Sequence, residues 1–98
     1  MTTKPTSAQI DAGVKAGRKA ILAVSPGQSS MIPDSALTVF VTEIEAAMRN
    51  VPAARQISAG VSTGRTALQN YSWFASMSVS DDELTTFVTD IKAAMIAA

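Results

Sequence analysis

The stretch Leu37-Thr38-Val39-Phe40-Val41-Thr42-Glu43-Ile44-Glu45-Ala46-Ala47-Met48 decides the fold, because it returns as Leu84-Thr85-Thr86-Phe87-Val88-Thr89-Asp90-Ile91-Lys92-Ala93-Ala94-Met95. In each, Leu, Phe, Val, Ile and Met recur at steps of three and four, which gathers them on one face of an α-helix. The likeness extends upstream. A shift of 47 residues without a gap lays residues 5–48 on 52–95, and 21 of the 44 positions are identical. Self-similarity at a fixed period marks a chain built from copies of one supersecondary unit.

The upstream half of each copy is a second helical pattern. Ile10, Val14, Gly17, Ile21 and Val24 form one stripe; Ile57, Val61, Gly64, Leu68 and Tyr71 form its counterpart. Thr6 with Gln9 three residues later resembles a capping box, whereas the second copy has Ala53 at the cap and so a weaker start. Ser80-Asp81-Asp82-Glu83 reads as a capping box whose acids also suit the positive end of a helix. These acids lack the spacing of an EF-hand, so capping is preferred over cation binding. Pro33 suits a first helical turn, and Ser25-Pro26-Gly27-Gln28-Ser29-Ser30 is a turn by composition.

The expected architecture is all-α: a single domain, 1–98, made of a tandem-duplicated helical hairpin with repeats 5–51 and 52–98. Neither hairpin hides its own apolar stripes, so the two are expected to close as a pseudo-two-fold four-helix bundle. Packing against the hairpins of another chain is the alternative; a solenoid is disfavoured because about three repeats are usually needed.

Composition bounds the chemistry. The 98 residues include no cysteine and no histidine. Disulfides, thiolate chemistry, the commonest general base and the commonest transition-metal ligand are thereby removed. The expectation is a non-enzyme without metal or cofactor. A formal net charge of zero with 47% hydrophobic residues favours a folded, association-prone protein over a disordered chain or a generally basic nucleic-acid binder. The run Ala20-Ile21-Leu22-Ala23-Val24 is too short for a signal-peptide core, and no stretch approaches the roughly 18 apolar residues that span a bilayer. A cytoplasmic protein, with no membrane partner, is expected.

Four features stand out as candidate functional residues. Gly13 and Gly17, duplicated as Gly60 and Gly64, each cost about 1 kcal/mol inside a helix relative to alanine. Close helix packing offsets such a cost, and the expected symmetry brings helices one and three together at these flats. Charge is the second feature: net +3 over residues 1–30, −2 over 31–50, +2 over 51–77 and −3 over 78–98. Odd helices are basic and even helices acidic, which serves pairing within a hairpin or complementary faces between molecules. Third, Arg18 and Arg65 follow the packing glycines and have Asp34 and Asp81, or Glu43 and Asp90, as prospective structural partners. Fourth, Val24-Ser25-Pro26-Gly27 of the first copy becomes Tyr71-Ser72-Trp73-Phe74 in the second, a window holding three of the five aromatics. An exposed Trp73 beside Phe74 makes a partner-binding anchor; a loop folded back instead buries both rings over the bundle end.

A small chain rich in Ala, Ser and Thr without Cys or His is similar in style to accessory proteins of bacteriophage particles, which implies a virion location as the alternative to the cytoplasm. The leading expectation is a non-enzymatic structural or interaction protein that binds itself or a larger assembly through Tyr71, Trp73, Phe74 and its charged faces. One alternative is a nucleic-acid-associated regulator with Lys15, Arg18, Lys19, Arg55 and Arg65 on phosphates, disfavoured because acidic helices adjoin them. Another is a carrier of a small apolar ligand, with methionines as an adaptable lining.

Overall fold

A computed structural model of the chain describes residues 4–24, 27, 32–71 and 79–98. The described chain holds four α-helices, α1 (Ser7–Val24), α2 (Asp34–Arg49), α3 (Gln56–Tyr71) and α4 (Asp81–Ala97). A short 3₁₀ turn, Ala53–Arg55, leads into α3.

The helix starts follow their capping chemistry. At α4 the Ser80 hydroxyl accepts from the Glu83 N–H at 3.1 Å while the Ser80 N–H donates to the Glu83 carboxylate at 2.9 Å. Thr6 and Gln9 make the same reciprocal pair ahead of α1, at 3.2 and 2.9 Å. Ala53 offers no side-chain acceptor at the matching place before α3. There the chain tightens into the 3₁₀ turn, and the Arg55 N–H donates to the Pro52 carbonyl at 2.9 Å, so backbone replaces side chain as the partner of an orphan donor. Pro33 occupies the cap itself, in extended conformation, one position before the first helical turn.

Leu37, Phe40, Val41, Ile44 and Met48 of α2 and Leu84, Phe87, Val88, Ile91 and Met95 of α4 are all buried and supply most of the core. The contribution of α1 and α3 is different. Ile10, Val14, Ile21, Ile57 and Val61 are only partly buried against that core, while Gly13, Gly17, Gly60, Gly64, Ala67 and Leu68 are buried. Two helices thus carry the large side chains and two carry the hollows that receive them.

The resulting all-α four-helix bundle has a radius of gyration of 12.1 Å, close to the roughly 13 Å expected of a compact chain of this length. Its most extensive helix contacts are α1 with α4 and α2 with α3; α1 with α2 and α3 with α4 come second. The order round the bundle is therefore α1, α2, α3, α4, and α1 and α3 are not one of its packed pairs. This corrects the expectation that helices one and three meet at their glycines. Two flats placed face to face bury little apolar area, whereas a flat against a large side chain buries that side chain and leaves no void.

Candidate functional site

At each glycine the opposing atoms come from α2 and α4. A Cβ on Gly13 would lie 2.7 Å from Val41 Cγ1 and 3.1 Å from Met95 Cγ; on Gly60 it would lie 2.6 Å from Val88 Cγ1 and 3.3 Å from Met48 Cγ. A Cβ on Gly17 would stand 3.2 Å from the Phe87 ring, and on Gly64 3.3 Å from Ile44 Cδ1. Real Cβ atoms do not approach to 2.7 Å. Valine is stiff at χ1 and cannot swing away, so at Gly13 and Gly60 the backbone itself sets the approach of α1 and α3 to the core.

Of the acids within reach by sequence, the two arginines use those at the starts of the even helices. Arg18 meets Asp34 at 2.6 Å and donates to the Ile32 carbonyl at 2.6 Å; Arg65 meets Asp81 at 2.8 Å. Each bond ties an odd helix to the first residue of the next helix, where a carboxylate also complements the helix dipole. Both aspartates are highly exposed, so each pair contributes at most about 1 kcal/mol.

The remaining surface charge is sorted rather than paired. Beyond these two bridges, the ion pairs among the described residues reduce to Glu45 with Arg49 inside α2. A groove of about 520 Å³ runs between α1 and α4, with a floor containing Ala16, Ala20, Ala23 and Ala93. Lys19 stands on its α1 side and Glu83 and Asp90 on its α4 side. The small floor residues let another backbone come close, and the opposed charges give any visitor a polarity to match.

Tyr71 ends α3 as described. Its ring meets Phe40 edge to face, centroids 6.1 Å apart, and the residue is 44% exposed, so it caps the core rather than extending its buried stripe. Trp73 and Phe74 lie outside the described residues.

The opposite end of the bundle, where α1 and α3 start and α2 and α4 finish, holds an open depression of about 220 Å³ with mixed polar and apolar walls. Gln9, Glu45, Arg49, Gln56 and Lys92 line it together with Met48, Met95 and Ile96. Sequence reasoning missed this cluster. The signal was present in the sequence laid on itself at a shift of 47 residues: positions 45 and 92 exchange Glu for Lys, and positions 49 and 96 exchange Arg for Ile, beside otherwise well-matched stretches.

Among the described residues there is no group of three or more His, Cys, Asp or Glu side chains arranged to hold a metal ion. No helix among them is long and apolar enough to cross a membrane. The chain matches no family model, no curated protein and no solved structure.

Proposed function

We propose that this chain is a non-enzymatic structural or interaction protein that assembles with copies of itself, and that it arose by tandem duplication of one helical hairpin. The duplication reading draws on the sequence identity and on contacts that recur 47 residues apart. Gly13 faces Val41 and Met95 as Gly60 faces Val88 and Met48, and Arg18 with Asp34 matches Arg65 with Asp81.

The observation that carries the assembly reading is the alanine-floored groove between α1 and α4. A face with Lys19 on one side and Glu83 and Asp90 on the other is self-complementary under a two-fold rotation. Two such faces in apposition put the lysine of each copy opposite the acids of the other, over a floor small enough for close helix contact. Two observations favour this over the alternatives. Arg18 and Arg65 are held by Asp34 and Asp81, which weakens a phosphate-binding role. The apolar cavity beside Phe40, Leu84 and Phe87 has only about 30 Å³, room for a water or two rather than a carried ligand.

Light scattering coupled to size-exclusion chromatography tests the proposal. The expected result is a concentration-dependent dimer that dissociates at high salt and is lost on Ala23→Arg combined with Ala93→Arg, both exposed positions. A monomer at every concentration and ionic strength would sink it. Assembly onto a larger partner, a phage particle among them, is the second form of the same reading and would use the same face.

A further inference from the structure

The groove between α1 and α4 carries its charges in an order that restricts how a second copy can fit it. Gly13 lies beside Met95, and Gly17 beside Ile91 and Phe87, so α1 and α4 run antiparallel. Lys19, half a turn beyond Gly17, is therefore level with the part of α4 between Asp90 and Glu83, each within about one turn of it. Lys19 and Asp90 are exposed, and neither makes an ion pair among the described residues. Glu83 is partly committed, because its carboxylate accepts from the Ser80 N–H at 2.9 Å. Asp90 is thus the acid left for a visitor.

Two bundles that appose this groove are related by a two-fold axis in the plane of contact, and that axis has two limiting directions. Set across the helices, it lays α1 on α1 and α4 on α4. Lys19 then faces Lys19 and Glu83 faces Asp90, like on like. Set along the helices, it lays α1 of each copy on α4 of the other at the same level. Each Lys19 then falls between the partner's Asp90 and Glu83, twice per dimer, and α1 and α4 of both copies form a second four-helix layer in which neighbours run antiparallel.

The α2 and α3 side of the bundle, the other extensive helix pair joining the two halves, presents the positions 47 residues removed. There Glu43 stands in the place of Asp90, but Thr66 stands in the place of Lys19, with its hydroxyl donating back to the Ser62 carbonyl at 3.2 Å. Ala36 replaces Glu83, and an exposed Val39 replaces Thr86. At these positions the side offers one acid and no cation. A copy docked on it would gain a single Lys19 contact, leave its own Asp90 and Glu83 without a cation, and make a head-to-tail contact that does not close on itself.

We infer, on the footing of the self-assembly proposed above, that Lys19 selects the partner surface. The α1 and α4 face takes only its own kind, in a closed dimer whose two-fold axis runs along the helices and whose central contact is Lys19 on the partner's Asp90.

The test measures the dimer dissociation constant of the full chain at low salt by analytical ultracentrifugation. Lys19→Ala and Asp90→Asn should each weaken the dimer by about fivefold, and the double variant little more than either, since both remove the same pairs. Glu43→Gln should leave it unchanged. A spin label on Ala8→Cys, specific because the chain has no other cysteine, reports the axis. An axis along the helices keeps the two labels level and about 20 Å apart, two helix widths, whereas an axis across them at Lys19 separates the labels by roughly 33 Å along the bundle. A monomer at every concentration removes the assembly reading and this inference with it. A dimer with the longer label distance, or one that Lys19→Ala leaves unchanged or tightens, overturns the inference alone and leaves the assembly reading standing. Weakening by Glu43→Gln equal to that by Asp90→Asn overturns it in favour of head-to-tail growth through α2 and α3.

Discussion

At the scale of single residues, the glycines differ in what opposes them, and the difference predicts opposite signs for one substitution. Alanine gains about 1 kcal/mol of helix propensity at any of the four. At Gly13 and Gly60 the new methyl would meet a valine Cγ1 at 2.7 and 2.6 Å, an overpacking that typically costs about 1–3 kcal/mol. At Gly64 it would meet the mobile end of Ile44 at 3.3 Å. Urea unfolding should therefore find Gly13→Ala and Gly60→Ala destabilised by up to about 2 kcal/mol, and Gly64→Ala neutral or stabilised by up to about 1 kcal/mol. Equal effects at all four positions would mean that close approach is not what holds glycine there. Arg18 offers a second contrast, because its Ile32 carbonyl bond is part-buried while Asp34 is exposed. Arg18→Ala should cost about 1–2 kcal/mol and Asp34→Asn at most about 1 kcal/mol in the same assay.

At the scale of helices, the sequence was readable where the signal was local. The periodic stripes of α2 and α4 became the core residue for residue, and the Thr6–Gln9 and Ser80–Glu83 boxes formed as their spacing implied. A cap involves residues three apart and a stripe involves one turn, so neither depends on what lies across the bundle. The packing partner of a glycine does depend on it, and that is why the meeting of helices one and three was misjudged: small residues announce close approach without announcing to what. Burial of Glu45 and Arg49 was hidden for a related reason, since charged residues at the end of a helix read as solvated until a second helix end is known to cover them. The caps themselves are open to test. Ser80→Ala removes one half of a reciprocal pair and should destabilise the protein by about 1 kcal/mol, read as a lower midpoint in thermal unfolding. Thr6→Ala at the start of α1 removes the same half of the other reciprocal pair and should lower it by a similar amount.

For the whole molecule, the arrangement of contacts bears on how the chain holds together. The principal pairs, α1 with α4 and α2 with α3, each join one half of the sequence to the other. Met95 fills the hollow at Gly13 and Met48 the hollow at Gly60, so each half lacks the side chain that completes its own glycine flat. A half-chain alone, residues 1–51 or 52–98, should accordingly be largely unfolded as a monomer, because isolated helices of this length are marginal in water. Mixed, the two should recover the helical signal of the intact protein, with a stability that depends on concentration as subunit association requires. Under the proposed duplication each half also carries the surfaces to replace its missing partner with a second copy of itself. The end depression then discriminates between them: a pair of 1–51 chains brings Glu45 and Arg49 together with their own duplicates and stays balanced, whereas a pair of 52–98 chains sets Lys92 against Lys92. Circular dichroism over a dilution series should thus rank the mixture as tightest, the 1–51 homodimer next and the 52–98 homodimer weakest, with the last gaining most from added salt as screening relieves the like charges. Full helicity of either half as a dilute monomer would show instead that a hairpin is self-sufficient, and that the contacts between halves dock two finished units rather than complete two unfinished ones.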